Sequence, residues 1–345
     1  MSTEAARRVL ADAVAERVFP AAVAEVGATG GVLWRDALGT LTFDASTRAE
    51  FQTPFDLASL TKVIATTSLV MKLADENKLA VDGLIASHFS EWRGTDRDTV
   101  AIRDLLEHAS GLPARLVDAP PQGRREFEHD ICALPLEYAP RTRSVYSDLG
   151  FILLGFLIED CGGASLASQF AALGFDPTLT FELPQDVRRR AAPTLPEADD
   201  PRRGRALIGE VHDHYAAALG GVAGHTGLFG TASAVGGFAR TFLRAARGDD
   251  AAPFAARSVA AFLMRSNVAG SSRALGWDTM LPTSSCGTRL SAAAFGHVGF
   301  TGTSLWIDPE RDRYFVLLTN RANGGGTLDA MRTVRRAFHD ALADL

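Results

Sequence analysis

The chain has 345 residues, enough to bury a large core as one two-lobed domain or as two domains, and 46% of them are apolar against 22% charged. Thirty-five basic and 41 acidic residues give a net charge of −6, which excludes the basic footprint of a nucleic-acid or anionic-membrane binder. No apolar run reaches the length of a membrane span, and the three cysteines, Cys132, Cys161 and Cys286, follow no zinc or redox spacing. They read as reduced thiols that fill space. The amino-terminal stretch mixes acids and bases at helical spacing and lacks the three zones of an export signal, so a cytoplasmic location is expected.

In chain order, residues 4–17 place Ala5, Val9, Leu10 and Val14 on one side and predict an amphipathic helix. Short runs at 22–26, 31–34 and 40–43, separated by glycines and charges, predict antiparallel strands with tight turns. Near Ser59 the period changes. Leu60, Val63, Ile64, Val70, Met71 and Leu73 recur at three- and four-residue spacing, which predicts a long buried helix to residue 79. From there to about 265 the pattern is helix and loop: 102–108, stopped by Gly111-Leu112-Pro113; 150–160, stopped by Gly162-Gly163; and 232–247. Residues 176–205, rich in Pro and Arg, read as an exposed excursion. Strand signals return at 289–290, 294–297, 303–307 and 314–320, and a last helix is predicted over 328–343.

The first chemical element is Ser59-Leu60-Thr61-Lys62 at the start of the long helix. Residues three apart share a helix face, so the Lys62 amine can reach the Ser59 hydroxyl. A serine becomes a nucleophile beside a base, and a lysine is a base when its surroundings hold it neutral; arginine cannot do this. Only Lys62, Lys72 and Lys78 are lysines, against 32 arginines, so a lysine at this spacing stands out from the background. The second element is Tyr146-Ser147-Asp148, just before the apolar helix, whose tyrosine hydroxyl can relay a proton. The third is His297-Val298-Gly299-Phe300-Thr301-Gly302, where small residues let a substrate lie alongside a strand. A main-chain N–H there, with that of Ser59, makes a candidate oxyanion hole.

Together, and in this order, the three elements resemble the serine β-lactamase and penicillin-binding-protein superfamily, in particular its class C β-lactamase and family VIII esterase branch. The intervals agree, about 85 residues from Ser59 to Tyr146 and about 150 to His297. The loop Leu105 to Pro113, the paired runs Phe300 to Pro309 and the segment Gly209 to Phe229 extend the likeness.

The resemblance implies an α/β fold of the α+β type: an antiparallel sheet flanked by the N- and C-terminal helices, with a large helical lobe. It implies a single domain over 1–345, with an α/β lobe of 1–58 and 270–345 and a helical lobe of 59–269. It also implies that Ser59 is acylated, that Lys62 and Tyr146 share base and acid work, and that the N–H groups of Ser59 and Phe300 bind the oxyanion. His297 and Gly299 would line the pocket, with His297 donating to substrate or to Tyr146.

Two positions depart from the branch. Asp148 stands where an asparagine is usual, and a carboxylate cannot donate to a substrate carbonyl. Near Lys62 it would also favour the protonated amine. His297-Val298 stands where Lys-Thr is common, which removes a charge and a hydroxyl that would hold a substrate carboxylate. Both departures favour ester hydrolysis over β-lactam or D-alanyl-peptide turnover, and they suggest Asp148 as a partner for a cationic substrate group. The expectation is a carboxylesterase acting on a small ester or amide without cofactor or metal. The alternatives are a D-amino-acid amidase or DD-peptidase, a weak β-lactamase, or a non-catalytic binding or sensor protein. His212, His214 and His225 raise a metal reading that no further ligand set completes. The loop 113–125 and the excursion 176–205 are expected to border the pocket and set specificity.

Overall fold

Side-chain alternation along two central strands decides how the sheet is covered. In the computed structural model, which describes residues 3–44, 46–117 and 120–345, eight strands are formed. They are β1 (Ala21–Ala28), β2 (Gly31–Gly39), β3 (Phe55–Asp56), β4 (Phe229–Gly230), β5 (Asp278–Thr279), β6 (Phe295–Val298), β7 (Ser304–Asp308) and β8 (Arg313–Thr319). Every residue of β1 is buried. Ala22, Ala24 and Val26 face one apolar cluster with Phe315 and Leu317, whereas Ala21 and Val23 face another with Tyr314, Val316 and Leu318. A strand covered on both sides reads as a continuous apolar run, as this one does.

Six strands form one antiparallel sheet in the order β2-β1-β8-β7-β6-β5. Within it β1 pairs with β8, from Ala22 opposite Thr319 to Gly27 opposite Tyr314, so the two ends of the chain meet there. The helices Thr3–Ala15 and Leu328–Leu342 pack together on one face, with Leu10, Phe338 and Trp306 in their cluster. On the other face lies Ala232–Ala246, whose Phe238 and Phe242 join the larger core with Trp277. That core runs on into the helical lobe, where Asp148–Gly162 is buried on every side from Leu149 to Ile158. The fold is the α/β arrangement of an antiparallel sheet with flanking terminal helices.

Several sequence expectations are corrected. Residues 40–43 form no strand; Thr40 makes an isolated bridge to Arg48 and the chain turns. The run at 289–290 is not a strand either, since Ser291 and its neighbours are tied to Asp308 and Asp340 instead. The long helix ends at Asp75, and its first part, Lys62–Thr67, is π-helical. The excursion 176–205 is not wholly exposed: 191–194 are buried, and the Thr194 N–H donates to Leu207 O. In the loop 113–125, residues 118–119 lie outside those described. No helix among the described residues is long and apolar enough to cross a membrane.

Candidate active site

Three separate parts of the chain hold Ser59 in place. The pairing of β3 with β4 brings the residues before it against the loop that ends in Phe229, and the Leu57 N–H donates to Leu228 O at 3.0 Å. From the turn after β6, Thr301 Oγ1 donates to Asp56 O at 2.8 Å and Thr303 Oγ1 to Leu57 O at 2.9 Å. Gly299 permits this clamp, because a Cβ there would lie 2.6 Å from Leu57 O. The chain then turns sharply at Ala58, whose φ of 47° is in the left-handed region, costly for a residue with a side chain. The Ala58 N–H is held by Asp56 Oδ1 at 2.8 Å.

Lys62 opens the π-helical stretch that follows and is completely buried. Its Nζ donates to Ser59 Oγ at 3.2 Å, to Asp148 Oδ1 at 2.7 Å and to His225 O at 2.9 Å. Burial works against the ammonium, but the nearby Asp148 carboxylate, and then Tyr146, outweigh it and hold the Lys62 pKa above the ordinary lysine value. Tyr146 Oη donates to Ser59 Oγ at 2.7 Å. Burial raises the Tyr146 pKa despite the opposing pull of Lys62. The resting serine therefore accepts from two donors, and neither is in its basic form.

Tyr146 is fixed through its neighbours. The Ser147 N–H donates to His108 Nδ1 at 3.1 Å, the Val145 N–H to His108 O at 2.9 Å, and Ser147 Oγ to Pro113 O at 2.6 Å. The loop that ends at Pro113 is thus the mount for the tyrosine. The rings of His108 and His297 flank Tyr146 at 4.7 and 5.9 Å. Accepting at Nδ1 puts the His108 proton on Nε2, whereas His297 Nδ1 donates to Val298 O at 2.8 Å and leaves its Nε2 bare. Neither buried Nε2 has a partner among the described residues. Burial, followed by the charges of Arg273 and Lys62, pushes both imidazoles well below the ordinary histidine value, so both are neutral.

All seven residues singled out in the sequence gather at this one place. Ser59, Lys62, Tyr146 and Asp148 are linked by hydrogen bonds, and Ser59, Tyr146, His297, Gly299 and Phe300 share one cavity wall. The N–H groups of Ser59 and Phe300 donate to no group among the described residues. Phe300 is 39% exposed at the rim, and its carbonyl is gripped by Arg321 Nη2 at 2.7 Å. Asp148 is already partnered by Lys62 through Oδ1, so a substrate cation there would share its carboxylate with Lys62.

Ser59 and Tyr146 stand between two cavities. One, of about 100 Å³, is walled by Arg115, Asp148, Glu197 and Asp213, with His212 and His225. Asp213 accepts from Arg115 Nη2 at 2.8 Å, from the Ala216 N–H at 2.9 Å, and pairs with His225 Nε2 at 2.9 Å. Burial alone would raise its pKa, but His225 and Arg115 hold the carboxyl well below the usual range. The other cavity, of about 280 Å³, is walled by Arg273, Asp278, His297 and Arg335 on the sheet side. Arg335 Nη2 donates to Gly299 O and Thr303 O at 2.7 and 2.8 Å, and burial lowers its pKa to about 9.

Sequence reasoning missed Arg115, Glu197, Asp213 and Arg273. Nothing in the sequence separates those arginines from thirty others, and only the fold brings the 176–205 excursion over the serine. The three histidines weighed as metal ligands part company: His212 Nε2 meets Leu195 O at 3.0 Å and His225 meets Asp213. His214 instead lies by Glu197 and Asp199, with one ligand-type atom of each within 4.8 Å of the others.

The profile of the family described as Beta-lactamase matches residues 6–339. Among curated proteins, the chain is 32% identical over 321 residues to the "Putative D-alanyl-D-alanine carboxypeptidase" of Escherichia coli (strain K12), covering 82% of this chain and 72% of the relative. Among solved structures it resembles EstCE1, a hydrolase with promiscuous acyltransferase activity, with a TM-score of 0.77, 19% identity, and coverage of 97% of this chain and 98% of that one. A class C β-lactamase from Rhodobacter sphaeroides gives 0.75 and 18%, with 99% of both chains covered. These two share its fold at low identity. The family match runs from the N-terminal helix through the helical lobe to the C-terminal helix, and the chain belongs to the β-lactamase family of serine hydrolases.

Proposed function

We propose that the chain cleaves esters through a covalent acyl-enzyme at Ser59. The observation that carries this reading is the convergence of Tyr146 Oη at 2.7 Å and Lys62 Nζ at 3.2 Å on Ser59 Oγ, beside two main-chain N–H groups without partners among the described residues.

The protons can be followed. Lys62 and Asp148 together carry no net charge, so passing a proton from Nζ to Oδ1 across their 2.7 Å bond leaves a neutral amine beside Ser59 without creating charge. The Ser59 hydroxyl then gives its proton to Lys62 as Oγ bonds to the carbonyl carbon, and the carbonyl π pair moves onto oxygen. The Ser59 and Phe300 N–H groups suit that oxyanion. As the tetrahedral intermediate collapses, the bond to the leaving atom breaks. That atom takes the Tyr146 proton, and Lys62 replaces it. Water repeats the sequence in reverse to free Ser59.

Esters lead over amides because their leaving oxygen depends less on a well-timed proton. An amide or D-alanyl peptide is the second reading, favoured by the name of the Escherichia coli relative. The test is turnover of p-nitrophenyl acetate and of nitrocefin by the wild type, Ser59→Ala and Lys62→Ala. Ester turnover lost in both variants, with little nitrocefin cleavage, is expected. Rapid nitrocefin turnover would overturn the ester preference. Ester turnover undiminished in Ser59→Ala would overturn the nucleophile, and no acylation by any substrate would leave a binding protein.

A further inference from the structure

The Phe300 N–H is mounted on two guanidiniums, those of Arg335 and Arg321, which make no ion pair among the described residues. Arg335, from the helix Leu328–Leu342, is almost wholly buried, and its Nη2 donates to Gly299 O at 2.7 Å and to Thr303 O at 2.8 Å. Gly299 O is the carbonyl of the peptide unit whose N–H belongs to Phe300. That unit is trans, so its C=O and N–H point in opposite directions, and fixing one aims the other. The next carbonyl, Phe300 O, is gripped by Arg321 Nε at 3.1 Å and Nη2 at 2.7 Å. Phe300 is thus pinned on both sides, in the walls of both cavities that Ser59 shares, and its N–H has no partner among the described residues. The turn itself needs no cation, because the Gly302 N–H already donates to Gly299 O at 3.1 Å and the Gly299 N–H to Thr303 O at 2.9 Å. A buried charge that no acid offsets is costly: burial, and then the charge of Arg321, lower the Arg335 pKa to about 9.

We propose that Arg335 is a positioning residue for the oxyanion hole: through Gly299 O it aims the Phe300 N–H and strengthens it as a donor. The inference rests on the acyl-enzyme reading above and deepens it. A cation bonded to a carbonyl oxygen draws electron density out of the amide, so the N–H of the same unit becomes a stronger donor. The gain is largest when the acceptor is the anionic oxygen of the tetrahedral intermediate and small for the neutral carbonyl of the substrate. The uncompensated charge works in the same sense, since it favours a negative oxygen on the far side of that peptide unit. Arg335 therefore acts through the Gly299–Phe300 peptide, on the rate of acyl transfer more than on substrate binding.

The experiment compares phenyl acetate with phenyl thionoacetate, which differ only in the atom that becomes anionic; sulfur accepts hydrogen bonds weakly. In the wild type, kcat/KM is expected to favour the oxygen ester. In Arg335→Met, which keeps the length of the side chain without its charge or donors, kcat/KM for phenyl acetate should fall by about 10- to 100-fold, less than for an oxyanion donor removed outright. Thionoester turnover should fall much less, so the ratio of the two drops, and Arg335→Lys should recover part of it. A purely structural role would lower both esters together and leave the ratio where it was. Arg335→Gln, also neutral, is read in the same way if Arg335→Met does not fold. An unchanged ratio in the folded neutral variant, or a wild type that does not distinguish the two esters, would overturn the inference while leaving the hydrolase intact. If the wild type turns over neither ester, the acyl-enzyme reading itself falls, and this inference with it.

Discussion

The two cavities beside Ser59 are built from the same kinds of charged residue and use them in opposite ways. On the helical side every charge but that of Glu197 is consumed internally: Asp148 by Lys62, and Asp213 by Arg115, His225 and the Ala216 N–H. On the sheet side Arg273 keeps its donors unused and His297 is held neutral with a bare Nε2. A charge already paired with the protein holds the machinery in shape; an unpaired one is available to a substrate. The contrast predicts that substitutions on the helical side change stability and proton transfer, whereas those on the sheet side change selectivity.

The largest effects should come from the two side chains that donate to Ser59 Oγ. Lys62→Ala and Tyr146→Phe are each expected to lower kcat/KM for p-nitrophenyl acetate by about 100- to 10,000-fold, the range for losing a positioned acid or base. A loss below tenfold in either would remove that residue from the proton path. Next in size is Asp213→Asn, which leaves the Arg115 cation without its acid. It should cost about 2–3 kcal/mol in urea unfolding while the ratio of turnover of p-nitrophenyl acetate to that of nitrocefin stays near the wild-type value. A shifted ratio at unchanged stability would break the contrast between the cavities.

Asp148→Asn sharpens it through pH. Asp148 raises the Lys62 pKa and burial lowers it, so removing the carboxylate lets burial prevail. With Lys62 as base, the acidic limb of the pH profile of kcat/KM should move to lower pH. A limb that stays fixed would contradict the coupling of Lys62 to Asp148 in catalysis. The smallest effect is on acid stability. His108, His297 and His339 are held neutral by burial, His339 at about 3 against an ordinary 6.5. As pH falls below the ordinary value, the unfolded chain binds protons that the folded chain refuses, so stability is lost. For His339 the loss continues down to about pH 3, and each such group contributes at most about 1.4 kcal/mol per pH unit. Urea midpoints should therefore be lower at pH 5 than at pH 7. Equal midpoints would show that these imidazoles titrate normally.

The contrast between the cavities also marks what the sequence could reveal. The meeting of Ser59, Lys62 and Tyr146 was legible because the proposed chemistry needs particular residue types at particular intervals, and a lysine is rare in this chain. The strands 294–297, 303–307 and 314–320 were legible within about a residue at each end, because β-branched and aromatic residues crowd there. Residues 40–43 carry the same alternation, but no neighbouring strand lies beyond β2 to pair with them. Arg273 and Glu197 were illegible for another reason: which cavity each faces is set by packing between segments far apart in the chain. Asp148 was legible both as a departure and as a carboxylate that would favour the protonated Lys62 amine, to which its Oδ1 is bonded.

The most direct test of the account is a rapid quench of the enzyme with p-nitrophenyl acetate, followed by mass spectrometry of the peptides. One acetyl group should appear on the peptide that contains Ser59 before steady turnover begins, and none should appear in Ser59→Ala. An acetyl group on another residue, or steady turnover with no covalent adduct, would contradict the acyl-enzyme at Ser59.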